Sequence, residues 1–111
     1  MLDPDALTPA NPNERSILHW LVVNIDGDNI KSGTTVAQYL SPSPTPFQGP
    51  HRYTFLIYRQ SRPVVPTQFY VTEMERANFQ VTPYAEANGL TGPIAGNFFY
   101  EAIPGYYSSK G

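Results

Sequence analysis

Cysteine is absent from this sequence of 111 residues. The absence excludes a disulfide scaffold, a thiolate metal site and redox chemistry carried by the chain itself. It also removes the usual marker of an oxidising compartment, so cysteine usage does not distinguish the cytosol from the extracellular space.

Charge and long apolar runs are also scarce. Only 14% of the residues are charged, the formal net charge is -2, and the seven Lys and Arg form no cluster in the sequence. This pattern argues against nucleic acid or an anionic membrane surface as a partner. The longest nearly apolar segment, Ile17 to Ile25, contains His19 and Asn24 and is too short to cross a bilayer. We therefore expect no transmembrane segment.

The first residues do not form a secretory signal, because Met1-Leu2-Asp3 has neither a basic start nor an apolar stretch. We expect a cytoplasmic protein on this ground. Secretion stays open, since a chain trimmed after export would look the same.

Proline, glycine and tyrosine are abundant, with twelve, eight and eight residues respectively. Such a composition is typical of short strands joined by rigid turns and predicts a mostly β fold. The chain length predicts a single domain over residues 1–111.

Three segments carry the strongest secondary-structure signals. Ile17 to Ile25 and Arg52 to Arg59 are apolar on both alternating faces, which predicts central strands buried on both sides. Ile94 to Glu101 is interpreted as a last strand. Residues 82–88 are predicted to form a short helix, with Thr82 as the N-cap and Gly89 as a left-handed cap. The proline-rich residues 41–50 are expected to form a stiff, ordered wall.

Four polar residues beside these stiff segments are candidates for one binding pocket: Asp3, Asp5, His19 and His51. Each also has an ordinary structural explanation. His19 fits a core histidine bonded to a backbone carbonyl, His51 an exposed loop residue, and the two aspartates turn chemistry. His19 and His51 are the only histidines of the chain, and all four residues lie beside rigid segments, which favours a shared site.

A phosphate monoanion suits such a pocket, because it accepts hydrogen bonds from imidazolium groups while donating its own proton to a carboxylate. Adjacent aspartates are expected to keep both histidines charged near neutral pH. A divalent metal is less favoured, since no pair of ligands has helical i, i+4 spacing. We expect no cofactor. Catalysis is also less favoured, because the sequence lacks a nucleophile elbow and separated acid and base carboxylates.

Four motifs together resemble the phosphatidylethanolamine-binding protein family in their order and spacing. They are Asp3-Pro4-Asp5-Ala6, Leu18-His19-Trp20, Tyr39 followed by Pro42-Ser43-Pro44, and Gly49-Pro50-His51-Arg52-Tyr53.

The resemblance implies a fold of antiparallel β-sheets with few helices and a non-enzymatic binder of phosphate-bearing headgroups. Asp3, Asp5, His19 and His51 would line its anion pocket, with Pro44 and Tyr53 as wall residues. It further implies a regulator or inhibitor of a partner protein, in a protease or kinase pathway.

The sequence also departs from the family pattern. Leu7 replaces the usual proline, the N-terminal strands that usually precede Asp-Pro-Asp are lacking, and a short tail replaces the C-terminal helix. The chain is therefore expected to be a fragment or a divergent member whose missing strands come from a partner. A structural or interaction subunit without ligand binding is the alternative function. In either case we expect a protein partner or self-association.

Overall fold

Antiparallel strands dominate the computed structural model, which describes residues 1–5, 16–42 and 50–101. The predicted mostly β fold is confirmed. Within this part of the chain there is a single 3₁₀ turn, Ile30–Ser32. The other elements are β1 Leu2–Asp3, β2 Ile17–Leu18, β3 Leu21–Val23, β4 Thr34–Ala37, β5 His51–Gln60, α1 Glu73–Arg76, α2 Val81–Ala87 and β6 Leu90–Glu101.

The main sheet has four strands in the order β2-β1-β5-β6, and β3 pairs with β4 in a separate two-stranded sheet. All of these pairings are antiparallel. The longest ladder joins β5 to β6 from His51 opposite Glu101 to Gln60 opposite Leu90, with an irregularity between Ile57 and Arg59. Because β5 occupies a central position, its side chains are well placed to form the floor of a site.

The predicted single strand from Ile17 to Ile25 is wrong. The segment divides into β2, at the edge of the main sheet, and β3, in the small sheet. Between them, the amides of His19 and Trp20 both donate to the Met1 carbonyl, at 2.8 and 3.2 Å. Two successive donors on one acceptor interrupt the strand ladder. The segment is apolar on both faces because its residues pack in two different sheets.

The core consists of two neighbouring clusters of buried apolar side chains. Both contact Leu21 and Tyr70, which link them. The buried members are Leu2, Leu18, Ala37 and Phe79 in the first cluster and Val23, Val36 and Val64 in the second.

The second helix, α2, begins at Val81, one residue before the predicted start, so that Thr82 is inside the helix and not its N-cap. Gly89 has a φ of +68°, which confirms the predicted left-handed cap. The short helix α1 was not predicted. A capping box explains its start, because Thr72 accepts from the Glu75 amide while the Glu75 carboxylate accepts from the Thr72 amide.

Strand β6 lies at the outer edge of the main sheet and begins at Leu90, four residues before the predicted start. Its alternate side chains Ile94, Phe98 and Tyr100 are 55, 54 and 62% exposed. The main sheet therefore has an uncovered apolar strip at this edge. Within the described residues, no helix is long and apolar enough to span a bilayer.

Candidate functional site

Strands β1 and β5 bring Asp3 and His51 into direct contact. His51 Nδ1 lies 2.9 Å from Asp3 Oδ2, and the side chains are only 2 and 5% exposed. The other carboxylate oxygen of Asp3, Oδ1, accepts the Asp5 amide at 2.9 Å. A carboxylate oxygen only accepts, so Nδ1 of His51 carries the proton and the ring orientation is defined. His51 is therefore buried, in contrast to the exposed loop residue considered from the sequence.

His19, which follows β2, is held by a reciprocal pair of hydrogen bonds with Leu40. Its Nδ1 lies 2.7 Å from the Leu40 carbonyl oxygen, and its own carbonyl accepts the Leu40 amide at 2.8 Å. Since a carbonyl only accepts, Nδ1 is the protonated nitrogen. In the neutral ring, Nε2 then presents a lone pair.

Burial lowers the pKa of His19 below its ordinary value, and this effect outweighs the opposing hydrogen bond to Leu40 and the charge of Asp3. The expectation that aspartate keeps His19 charged near neutral pH is therefore wrong. Desolvation is stronger here, because the carboxylate of Asp3 bonds to His51 and the Asp5 amide, and not to His19.

Tyr53 connects the two histidines. Its ring meets His19 edge-on at a centroid distance of 5.3 Å and stacks with His51 at 6.3 Å. It also stacks with Phe99 of β6 at 5.4 Å. Tyr53 and Phe99 are opposite each other in the β5–β6 register, so they share one sheet face. Asp3, His51, Tyr53 and His19 consequently form one continuous buried cluster.

Asp5 has a different partner. Its carboxylate accepts three hydrogen bonds from Arg52: from the backbone amide at 2.9 Å, from Nε at 2.8 Å and from Nη2 at 3.0 Å. The Arg52 side-chain hydrogen bond holds the pKa of Asp5 below its usual value. Both oxygens of Asp5 are thus committed to the start of β5, which also carries His51. This geometry favours a supporting role for Asp5 over direct ligand contact.

Sequence reasoning missed Arg76, Phe99 and the partner role of Arg52. Arg76 of α1 is buried and donates to the carbonyls of Leu18 and His19. An isolated arginine in a polar helix gives no local signal of burial, whereas Arg52 stands within the Gly-Pro-His-Arg-Tyr motif itself.

Pro44, predicted as a wall residue, lies outside the described residues, as do positions 43–49 of the predicted proline-rich wall. Within residues 1–5, 16–42 and 50–101, no group of three or more His, Asp or Glu side chains is arranged to hold a metal ion.

The cluster places a hydrogen-bond acceptor and a carboxylate close together. A neutral His19 provides an acceptor at Nε2, and Asp3 provides a negative charge that is already paired with His51. These acceptors suit a ligand that carries an acidic proton, as a phosphate monoester does in its monoanionic form.

Comparison with known proteins shows which proteins this chain is similar to. A family model described as phosphatidylethanolamine-binding protein matches residues 1–99. A 26 kDa secreted antigen of Toxocara canis is 40% identical over 102 residues, covering 89% of this chain and 39% of the antigen. A putative odorant-binding protein A5 of Drosophila melanogaster is 37% identical over 105 residues, covering 89% of this chain and 49% of that protein. The chain thus spans less than half the length of either relative.

Proposed function

Because this chain belongs to the phosphatidylethanolamine-binding protein family, we propose that it binds a small phosphate-bearing headgroup without catalysing its conversion. The ligand contacts Asp3, His19, His51 and Tyr53, and Pro44 contributes a wall. Asp5 supports the site by holding Arg52 at the start of β5. The observation that carries the proposal is the continuous buried cluster in which Tyr53 joins the Asp3–His51 pair to His19.

The roles of the two histidines differ. His19 accepts the acidic proton of the phosphate through Nε2, because its Nδ1 donates to Leu40. His51 is oriented by Asp3 and faces the ligand together with the Tyr53 ring. These separate roles differ from the expectation from the sequence, in which both imidazoles are positively charged.

Replacement of His19 by asparagine tests the proposal. In His19→Asn, the side-chain amide nitrogen takes the place of Nδ1 and can still donate to Leu40, whereas Nε2 is removed. Loss of one hydrogen bond to a charged ligand, about 1.5–3 kcal/mol, should weaken the binding of O-phosphorylethanolamine by roughly 10- to 100-fold. Isothermal titration calorimetry measures the change.

A matched control pair examines the sheet face. Tyr53→Phe and Tyr100→Phe each remove one hydroxyl, but Tyr100 is opposite Arg52 in the ladder and so lies on the other face from Tyr53. Binding should weaken in Tyr53→Phe alone. Equal affinities for the wild type, His19→Asn and both tyrosine variants would contradict the proposed site.

The finer function that we propose is regulation or inhibition of a partner protein in a protease or kinase pathway. The family resemblance supports this role. Inhibition assays against proteases and kinases, with and without O-phosphorylethanolamine, test it. No effect on any of these enzymes would argue against it.

For the compartment, the relative named as a secreted antigen favours an extracellular site of action over the cytoplasmic location expected from the sequence. Fractionation of cells that produce the natural protein distinguishes the two.

The second candidate function is that of an interaction subunit. The exposed strip of Ile94, Phe98 and Tyr100 at the sheet edge supports it. A protein that binds no phosphate compound but forms a stable complex through β6 would favour this function over the first.

A further inference from the structure

Arg76 is a buried arginine whose charge is satisfied by backbone carbonyls. It is 4% exposed, and none of its hydrogen bonds within the described residues goes to a carboxylate. Nε donates to the Val71 carbonyl at 3.1 Å, Nη1 to the carbonyls of Leu18 and His19 at 3.2 Å each, and Nη2 to the Gln38 carbonyl at 2.9 Å.

Three of these carbonyls, those of Leu18, His19 and Gln38, belong to the two chain segments that define the position of the His19 ring. One segment is the end of β2, where Arg76 contacts the His19 backbone directly. The other is the stretch after β4, where Gln38 lies two residues before Leu40. Leu40 accepts from the His19 ring and donates to the His19 carbonyl. A single guanidinium therefore joins the residue that carries the ring to the segment that orients it.

We propose that Arg76 is a positioning residue for His19, which acts through the backbone and does not touch the ligand. It keeps the Leu40 carbonyl opposite Nδ1, and this contact keeps the lone pair on Nε2. The consequence for phosphate binding rests on the proposed function, whereas the effect on the His19 ring does not.

The geometry of the guanidinium is what lysine lacks. Arginine holds its donors in a rigid plane, so that one side chain reaches carbonyls on three separate segments. A lysine ammonium keeps the charge but is a point group on a flexible stem. Arg76→Lys therefore separates the bridging geometry from the charge.

A second, milder variant alters the N-terminal cap of α1, the helix that carries Arg76. The exposed Thr72 hydroxyl accepts the Glu75 amide in the capping box at the start of the helix. Thr72→Ala removes this cap without opening the core, so the position of Arg76 should loosen while the protein stays folded.

The experiment records long-range ¹H–¹⁵N spectra of the histidine rings in the ligand-free protein, alongside calorimetry with O-phosphorylethanolamine. The chain has only two histidines, so the assignment is simple. The matched control is Arg62→Lys, because Arg62 also donates to a carbonyl, that of Ala87, but on an exposed surface.

In the wild type, we expect His19 in the Nδ1–H form. Arg76→Lys should give a mixture of both neutral tautomers of His19 and weaken ligand binding by about tenfold, the loss expected for a misaligned hydrogen bond. Thr72→Ala should produce a smaller shift in the same direction. The His51 signals, and both histidines in Arg62→Lys, should be unchanged.

If His19 keeps the wild-type tautomer in Thr72→Ala and in folded Arg76→Lys, the positioning role is overturned. If Arg76→Lys does not fold, Thr72→Ala decides the question by the same spectrum. If the variants show the tautomer change but the wild type binds no O-phosphorylethanolamine, the proposed function is refuted and the positioning of His19 by Arg76 is still supported.

Discussion

The contact between Asp3 and His51 allows a quantitative prediction for Asp3→Asn. The asparagine has nearly the same shape, and its carbonyl oxygen can still accept the Asp5 amide. Its NH₂ group then faces Nδ1 of His51, so two donors oppose each other where the wild type has a bond of 2.9 Å. Rotation of the amide by 180° only transfers the conflict to the Asp5 amide. One hydrogen bond is lost, or His51 changes tautomer.

The magnitude follows from the burial of this pair. Hydrogen bonds to charged groups contribute about 1.5–3 kcal/mol, and both partners here are almost fully buried, so solvent screening is weak. We expect the free energy of unfolding to fall by about 2 kcal/mol, which corresponds to a fall in Tm of roughly 8 °C or more for a domain of this size. Misorientation of His51 should also weaken O-phosphorylethanolamine binding by about tenfold.

Calorimetric unfolding and isothermal titration measure the two effects, and Asp5→Asn provides the matched control. Asp5 is also a buried carboxylate, but it bonds to Arg52 and not to a histidine. Both variants should lose stability, whereas affinity should fall further in Asp3→Asn, because Asp5 acts on the site only through Arg52. An unchanged or higher affinity in Asp3→Asn would refute the reasoning, since the carboxylate would then only repel the anion. A loss of affinity in Asp5→Asn as large as that in Asp3→Asn would favour the direct ligand contact of Asp5 expected from the sequence.

Three further predictions concern the surroundings of the site. Arg52→Ala should lower the free energy of unfolding, measured in urea, by about 1–2 kcal/mol, a figure reduced by the half-exposed position of Arg52. An unchanged midpoint of urea unfolding would mean that water replaces the hydrogen bonds of Arg52 to Asp5. Burial lowers the pKa of His19, so the neutral ring stabilises the fold above the ordinary pKa, and this stability is lost as pH falls through the folded-state pKa. Tm measured from about pH 7 to 5 should therefore decline less in His19→Asn than in the wild type. Parallel curves of Tm against pH for the two proteins would contradict this. The exposed apolar strip of β6 should cause the 111-residue chain to self-associate. The double variant Phe98→Thr, Tyr100→Thr should weaken that association in sedimentation experiments. A compact wild-type monomer would show that the fold is stable with this strip exposed to solvent.

Local sequence patterns were sufficient where neighbouring residues determine the structure. The apolar residues on both faces of Arg52 to Arg59 predicted β5, which extends by one residue at either end, but the predicted burial of both faces is wrong, since Ile57 is 57% exposed. Gly89 predicted the left-handed end of α2 because a residue without Cβ adopts positive φ at little cost. The ordered motifs around Asp3, His19 and His51 identified the family for the same reason, since each is a short contiguous pattern.

Only the tertiary structure decided how these patterns combine. Asp3 and His51 are 48 positions apart, and Arg76 is 57 positions from His19. No local periodicity specifies which buried acceptor each donor reaches, so the separate partners of Asp3 and Asp5 could not be assigned from the sequence. The charge of His19 depends on desolvation by the folded protein, and residues 17–25 divide between two sheets at the point where the amides of His19 and Trp20 both donate to the Met1 carbonyl. The sequence determined the chemical groups, and the packing of distant segments determined their roles.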